Sequence, residues 1–398
     1  MELLLLISIV LVLYTYLGYG LVVWALIRLR PRRPAAAPAS DEFTPDVTLI
    51  VPAYNELGCL AAKVTNSLGQ VYPREHIQHL FVTEGSTDGS DNYLQTFYAD
   101  SVTILGGTER RGKVAAMNRA MQQIKTPIVI FTDANTQLNP EAVRNIVRHF
   151  SDPNVGAVAG EKRIQTTDSD SAAGSGEGIY WKYESQLKKW DAELHTIVGA
   201  AGELFAVRTE LYEAVPPDTI LDDFMISLLI AKRGYRVAYA PDAYALERPS
   251  FSIIDEQKRK IRIAAGGFQS MARLTSLLNP FRHGWLAFEY VSHRVMRWAV
   301  TPLCLPLIFL LSLGLVLRDG WQPVWTMLLA AQLLFYGAAW LGYGLEKRQL
   351  RWKPTFIPFY FTFMNVCALA GLVRYLRGNQ SGTWEKVRRA EAVDVLTH

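Results

Sequence analysis

The chain has 398 residues, half of them apolar, and a formal net charge of +4. That length suits one large domain or two, and so slight a basic surplus excludes a general affinity for nucleic acid. Its three cysteines, Cys59, Cys304 and Cys367, are far apart and odd in number. They offer neither a disulfide framework nor a metal-ligand spacing, and suit a reducing compartment.

Apolar residues gather at the two ends. Residues 3–27 form a nearly unbroken apolar run, long enough to span a bilayer, with no basic leader or clear cleavage site of a signal peptide. Arg28, Arg30, Arg32 and Arg33 follow it. The positive-inside rule then sets the N-terminus outside and residue 28 onward in the cytosol. Residues 1–30 are thus expected to be a transmembrane helix. Residues 31–44, opening on a Pro- and Ala-rich stretch, read as a linker.

The domain expected at 45–255 alternates strand-like and helix-like patterns. Residues 47–51 are a short β-branched run ended by Pro52, and an amphipathic stretch at 57–68 follows. Further strands are predicted at 80–83, 102–105 and 128–131, then a helix with Pro140 in its first turn. This alternation predicts an α/β domain with a mainly parallel sheet and helices on both faces. Ligands of such sheets bind beyond the carboxyl ends of the strands. Residues 256–295 are expected to be interfacial amphipathic helices. About three membrane segments (298–317, 324–343 and 356–376) fill 296–378, and 379–398 form a basic tail. Three spans would leave that tail outside, against the positive-inside rule. Either the tail departs from the rule or the last segment, with Pro354 and Pro358 at its start, is re-entrant or interfacial.

Three carboxylate islands lie where that fold class binds ligands: Glu84-Gly-Ser-Thr-Asp88, Asp133-Ala-Asn135 and Asp222-Asp223. Acidic clusters do not suit a polyanion unless a divalent cation neutralises them. A metal-bound nucleotide sugar, with one carboxylate left as a base, fits all three. Asp133 and Asn135 are two apart, so a bent loop turns both oxygens to one Mg²⁺ or Mn²⁺ shared with phosphates. The alternative there is a strand-ending Asx turn. Asp222 and Asp223 open a helix, where carboxylates serve as caps and favour the dipole; one can cap while the other serves as base. Pro52-Ala53-Tyr54-Asn-Glu56 is either an ordinary strand-to-helix turn or a cradle for a base and ribose. Lys113 follows Arg110-Arg-Gly at a helix start, where basic residues oppose the macrodipole and suit anions better than structure. Lys258, Arg259, Lys260 and Arg262 form a basic cluster. It suits a lipid surface, at about 1 kcal/mol per residue near anionic lipid, or a leaving diphosphate, which Arg259 and Arg262 on one helical face would steady.

In order, Pro-Ala-Tyr-Asn-Glu, Gly-Ser-Thr-Asp, Gly-Lys…Asn, Thr-Asp-Ala-Asn and Asp-Asp-Phe resemble glycosyltransferase family 2, over about residues 45–270. The resemblance is strongest to its membrane-embedded branch of cellulose, hyaluronan, chitin and poly-N-acetylglucosamine synthases. It implies a GT-A (Rossmann-like) cytosolic domain with flanking transmembrane helices, an inverting mechanism, a UDP-sugar donor and Mg²⁺ or Mn²⁺. Ala53, Tyr54, Glu56, Glu84, Asp88 and Lys113 would form the donor site, with Arg259 and Arg262 at the diphosphate. Asp133 and Asn135 would hold the metal. Asp223, beside Asp222, would be the base, and the segment with Gly202 and Glu203 would shape the acceptor pocket. The branch's Gln-x-x-Arg-Trp motif reads Arg259-Lys-Ile-Arg262-Ile263 here, so the Trp that stacks on the acceptor sugar is replaced by Ile263.

The expectation is a multi-pass protein of the plasma (inner) membrane with its catalytic domain in the cytosol. It would transfer a sugar to a polysaccharide or lipid-linked acceptor in cell-surface glycan synthesis. Membrane lipids and possible secretion partners would surround it, and no nucleic acid would be involved. The alternatives are a non-processive transferase making a short glycolipid and, more remotely, a non-catalytic membrane scaffold.

Overall fold

The computed structural model describes residues 1–29, 43–165, 175–248, 252–348, 350 and 352–378. Arg30, Arg32, Arg33 and the basic tail lie outside the described residues. The chain begins with α1 (Glu2–Leu29), which includes a π-helical turn at Tyr14–Gly18. The domain follows in the order β1 (Val47–Ala53), α2 (Leu57–Leu68), β2 (Ile77–Thr83), α3 (Ser90–Tyr98), β3 (Thr103–Leu105), α4 (Lys113–Met121) and β4 (Ile128–Thr132). It continues through β5 (Gln137–Leu138), α5 (Ala142–Val147), β6 (Val155–Ile164), α6 (Ser175–Leu194), β7 (Leu204–Arg208), α7 (Asp222–Lys232) and β8 (Arg236–Glu247). Then α8 (Ile253–Arg273) leads to α9 (Pro280–Asp319), α10 (Pro323–Lys347) and α11 (Lys353–Leu376). Among the described residues, α1, α9, α10 and α11 are long and apolar enough to cross a membrane. No break falls near residue 295, where interfacial helices were expected to give way to spans; α9 runs through it.

All seven residues of β1 and all five of β4 are buried. Covered on both faces, these strands need continuous apolar runs rather than alternation, which is why the sequence marks them so clearly. The sheet has eight strands in the order β3-β2-β1-β4-β7-β6-β8-β5. Its first four run parallel. The expectation of a mainly parallel sheet holds: β6 and β8 also pair in parallel, and two strands run against the other six, β7, antiparallel to both β4 and β6, and β5, antiparallel to β8. The inversion has a consequence for the site. Thr132, the last residue of β4, pairs with Leu204, the first of β7. The chain leaving β4 and the chain entering β7 therefore meet at one end of the sheet, which a parallel β7 would not allow.

The helix α8 joins the domain to the apolar helices. Ser252 caps it, accepting from the Asp255 N–H at 3.2 Å. Gln269 ties it to the domain, accepting from Ile220 N at 3.1 Å and donating to Asp218 O at 2.9 Å. On its other side α11 runs alongside in the same direction: Gly371 backs onto Ala264, and Phe268 stacks on Tyr375. A Cβ on Gly371 would lie 2.9 Å from the Ala265 backbone nitrogen, so the missing side chain permits the approach.

A buried ionic cluster fastens α1, α6 and α9 together. Tyr19 donates to Asp191 at 2.6 Å, and His293 meets Asp191 at 2.5 Å and Glu184 at 3.3 Å. Glu184 also pairs with Arg294 at 3.2 Å and with Arg297. Burial disfavours the Glu184 charge, yet Arg297, His293 and Arg294 hold its carboxyl well below the usual range. Such clusters add little net stability when whole but cost about 3–5 kcal/mol when one partner is lost, because charge is left buried and unmatched. Glu184→Gln should therefore destabilise the junction by about that much, read as a large fall in melting temperature in detergent; an unchanged melting temperature would contradict this account.

Candidate active site

Three loops meet at the carboxyl ends of β1, β2 and β4. The first is pinned by Asn55, which adopts a left-handed conformation (φ 54°) that Asn tolerates better than most residues. Its side chain accepts from Thr87 N at 2.7 Å and donates to Thr87 Oγ1 at 3.2 Å, while its own N–H reaches Ser86 Oγ at 3.1 Å. The loops after β1 and β2 thus form one unit. Gly85 (φ 63°) lets the Arg110 loop close over it: a Cβ there would stand 2.8 Å from Arg110 N.

A small pocket under this loop is lined by Pro52, Ala53, Tyr54, Glu84, Arg110 and Lys113, among others. Four of the six residues carried over to the nucleotide pocket thus come together. Arg110 lies over the Tyr54 ring at 4.4 Å. Glu84 is buried and bound by Arg119, whose Nη2 and Nε stand 2.9 and 3.1 Å from Oε1. Arg119 also donates to the Gly106 and Thr83 carbonyls, so it holds the carboxylate in a fixed direction. Asp88 and Glu56 lie outside the lining. Asp88 accepts from Leu57 N and Ser90 N, each at 3.0 Å, and ties the starts of α2 and α3. Glu56 precedes α2 and receives the Cys59 thiol.

The loop after β4 that carries Asp133 and Asn135 is clamped from below by Lys63. This fully buried lysine donates to Thr132 Oγ1 and to the Thr136 carbonyl, both at 2.9 Å. Burial lowers its pKa to about 7, against the pull of Asp133. Lys63 was missed from the sequence, although a signal was there: it falls on the buried stripe Leu60–Lys63–Val64–Ser67 of α2. A charged residue in such a stripe needs partners.

Lys113, the first residue of α4, stands 2.8 Å from Asp133 Oδ1 and 3.4 Å from Asp222 Oδ2. Burial works against its charge, but Asp133, Asp222 and Asp223 more than compensate, so the ammonium is held well above its usual range. At the start of α7 the N-cap, Leu221, makes no side-chain cap, and Asp223 accepts a hydrogen bond from the Phe224 backbone. Asp223 lies against Gly202, whose position would bring a Cβ 3.4 Å from the carboxylate. Burial, with Asp222 adjacent and Lys113 opposing, raises Asp223 to about 8. Glu203 follows Gly202 and is bound by Lys162 at 2.5 Å. Burial disfavours its charge, but Lys162 and Arg259 hold it down at about 2. Lys162 also pairs with Glu247. Arg259 forks onto Glu256 at 2.9 and 3.0 Å, on the side of α8 that feels Glu203 and Glu247. It therefore stands with Glu203 and Glu247 rather than with Asp133. Arg262 is half-buried on the same helix, one turn on.

Whether a divalent cation fits is decided by the oxygens. Among the described residues no group of three His, Cys, Asp or Glu converges as a closed metal cage. Asn135 nevertheless presents a buried Oδ1 without a hydrogen bond, and the Asp133 Oδ1 beside it is met by the Lys113 ammonium. Two hard oxygen donors on one bent loop suit a cation whose remaining ligands are phosphates and water. The residues fit that arrangement.

Residues 48–215 match the profile of Glycosyl transferase family 2. A poly-beta-1,6-N-acetyl-D-glucosamine synthase of Staphylococcus aureus is 25% identical over 236 residues, covering 57% of this chain and 56% of the relative. The chain thus spans about half the length of that relative. An N-acetylglucosaminyltransferase of Rhizobium meliloti is 24% identical over 340 residues, covering 80% and 76%. Among solved structures, a mannosyltransferase from Pyrobaculum calidifontis in complex with GDP-Man and Mn²⁺ superposes with a TM-score of 0.71 at 27% identity, covering 95% of this chain and all of that one. The loops, the carboxylates and this likeness agree: residues 48–215 are a Glycosyl transferase family 2 domain of the GT-A type, carried between apolar helices long enough to cross a membrane.

Proposed function

We propose that the protein is an inverting glycosyltransferase that moves a sugar from a nucleoside-diphosphate sugar to a polysaccharide or lipid-linked acceptor at a membrane. The observation that carries this reading is the grouping of Asp223, Asp222 and Asp133 around Lys113 at the edge of the nucleotide-type pocket. Asp223 takes the proton of the acceptor hydroxyl as its oxygen bonds to the anomeric carbon. The bond from that carbon to the diphosphate breaks on the opposite face. Lys113 meets the negative charge that develops there. Asp133 and Asn135 would hold Mg²⁺ or Mn²⁺, and a bound cation supplies Lewis-acid neutralisation of the leaving diphosphate. Ala53, Tyr54 and Glu84 hold the nucleotide. Gly202 and Glu203 shape the acceptor side, with Arg259 and Arg262 nearby.

The sequence resemblance favours a UDP-sugar, and the curated relatives named for N-acetylglucosamine point to that sugar. The mannosyltransferase with GDP-Man makes GDP-sugars the other donor to test. The catalytic domain is assigned to the cytosolic face of the plasma membrane, with secretion partners if the product is a polymer. The short-glycolipid reading gains from one observation: Ile263, in the place of the acceptor-stacking Trp, lines a cavity among the apolar helices.

Incubating the purified protein with UDP-GlcNAc and GDP-Man in the presence of Mn²⁺, and sizing the product, tests donor and product together. Asp133→Ala should abolish transfer while leaving the fold intact, and EDTA should do the same to the wild type. Full turnover in EDTA would remove the metal from this scheme.

Asp223→Asn keeps the shape and removes the basicity, so donor binding should survive and transfer fall by about 10²–10⁴-fold. The raised pKa of Asp223, about 8, means that the free enzyme must lose this proton before the group can act. kcat/KM should therefore rise with pH through that region. Asp222 holds the limb up by its charge, so Asp222→Asn should move the limb to lower pH. An unmoved limb would show that Asp222 does not tune the base.

A further inference from the structure

Where α1, α6, α8, α9 and α11 meet, the structure encloses a cavity of about 340 Å³, within the ~300–1,000 Å³ of small-molecule sites. Its walls are mostly aromatic and aliphatic, and among the described residues the charged ones lining it are two cations, Lys260 and Arg297. Their acid partners, Glu256 and Glu184, do not belong to the lining. A second cavity of about 410 Å³ lies among α1, α9, α10 and α11. It shares Ile357 and Phe361 with the first and has no charged residue in its lining. Polarity thus grades from nothing ionic among the apolar helices to cationic against α8.

The graded space adjoins the catalytic carboxylates. Lys260 lines the cavity, while Arg259, next along α8, belongs to the cluster with Glu203 and Glu247. Trp298 lines the cavity too, and its ring packs 5.2 Å from that of Phe224, the residue after Asp223. A polysaccharide needs walls rich in hydrogen-bonding groups, because its hydroxyls lose water on entry. These walls offer few. An apolar chain with an anionic head fits them, since cations at a membrane face attract phosphate headgroups.

Resting on the transferase reading of the site, we propose that the two neighbouring cavities, which share the Ile357 and Phe361 wall, hold the acceptor, and that the acceptor is a lipid phosphate bearing the sugar to be extended. Its tail lies between α10 and α11, its phosphate near Lys260 and Arg297, and its sugar hydroxyl beyond Trp298 toward Asp223. In transfer that hydroxyl loses its proton to Asp223, its oxygen bonds the donor's anomeric carbon, and the nucleoside diphosphate leaves with the electron pair of the broken bond. The acceptor class follows from the lining, and Ile263 in place of a sugar-stacking Trp agrees with it, because a lipid anchor holds the acceptor by its tail.

The test uses the full-length protein in neutral detergent. Binding of dodecyl phosphate, dodecanol and phosphatidylglycerol is read by native mass spectrometry, and nucleotide-sugar binding is measured on the same samples. One dodecyl phosphate should bind per chain, at least tenfold more tightly than dodecanol. Lys260→Met should erase that margin and Lys260→Arg should keep it. Ile357→Trp, which fills the shared wall, should weaken dodecyl phosphate binding. Nucleotide-sugar binding should be the same in all three variants. Equal binding of dodecanol, or no effect of Lys260→Met, would overturn the proposal. So would phosphatidylglycerol binding as tightly as dodecyl phosphate, since the cavity would then be a seat for bulk lipid. Loss of nucleotide-sugar binding in the wild type, with dodecyl phosphate still bound, would instead sink the transferase reading and the acceptor role with it.

Discussion

One ammonium organises the catalytic end of this domain. Asp133, Asp222 and Asp223 come from two distant segments and carry like charge into a half-buried space. Left alone they would repel one another, and burial would push protons onto them. Lys113 stands between Asp133 and Asp222 and makes the grouping tolerable. The position of Lys113 in turn depends on α4 beginning where it does, under the loop that Gly85 lets close. The same charge that steadies the acids is well placed for a diphosphate, so the structural and chemical roles of Lys113 are one arrangement seen with and without ligand. Lys63 repeats the logic from beneath. It ties the backbone and hydroxyls of the loop after β4 rather than its carboxylate, which Lys113 meets instead, while the Asn135 Oδ1 stays without a hydrogen bond.

Much of this was legible in the sequence, and the reasons differ by element. β1 and β4 announce themselves because strands covered on both faces must be uniformly apolar. The helix at Leu57–Leu68 and the helix opening at Asp222 were readable from local pattern. Apolar length alone marked the four long helices. The ordered motifs pointed to the residues that line the small pocket and flank Lys113.

What was not legible depends on partners far away in the chain. The antiparallel insertion of β7 has no local signature, because strand direction is decided by what pairs with it rather than by periodicity. The pairing of Glu84 with Arg119 and the joining of two loops by Asn55 are likewise long-range facts. So is the cluster of Tyr19, Glu184, Asp191, His293 and Arg297, in which each residue taken singly reads as an ordinary polar position. Asp88 and Glu56 illustrate the reverse case. Their motif positions suggested nucleotide contacts; the structure sets both at helix starts, where Asp88 accepts backbone N–H groups and the Glu56 carboxylate receives the Cys59 thiol.

The placement of α8 connects the two halves of the molecule. Different faces of this helix meet different surroundings. Arg259 joins the acids beside Glu203, Gln269 is bonded to the domain backbone, and Lys260 with Ile263 turns to the apolar helices. Because α11 lies along it at the close approach that Gly371 allows, α8 cannot shift without moving an apolar helix with it. The ionic cluster fixes α9 to α6 and α1 in the same way, and α9 carries Trp298 against Phe224. The start of α7, which carries Asp223, is thus held from two sides by elements packed against apolar helices. Under the proposed function, rigidity of this kind suits a site that presents an acceptor hydroxyl from the side of the apolar helices to a sugar held by the domain. Near-attack geometry is lost with displacements of about 1 Å, and a domain tethered by a single flexible joint would not keep it.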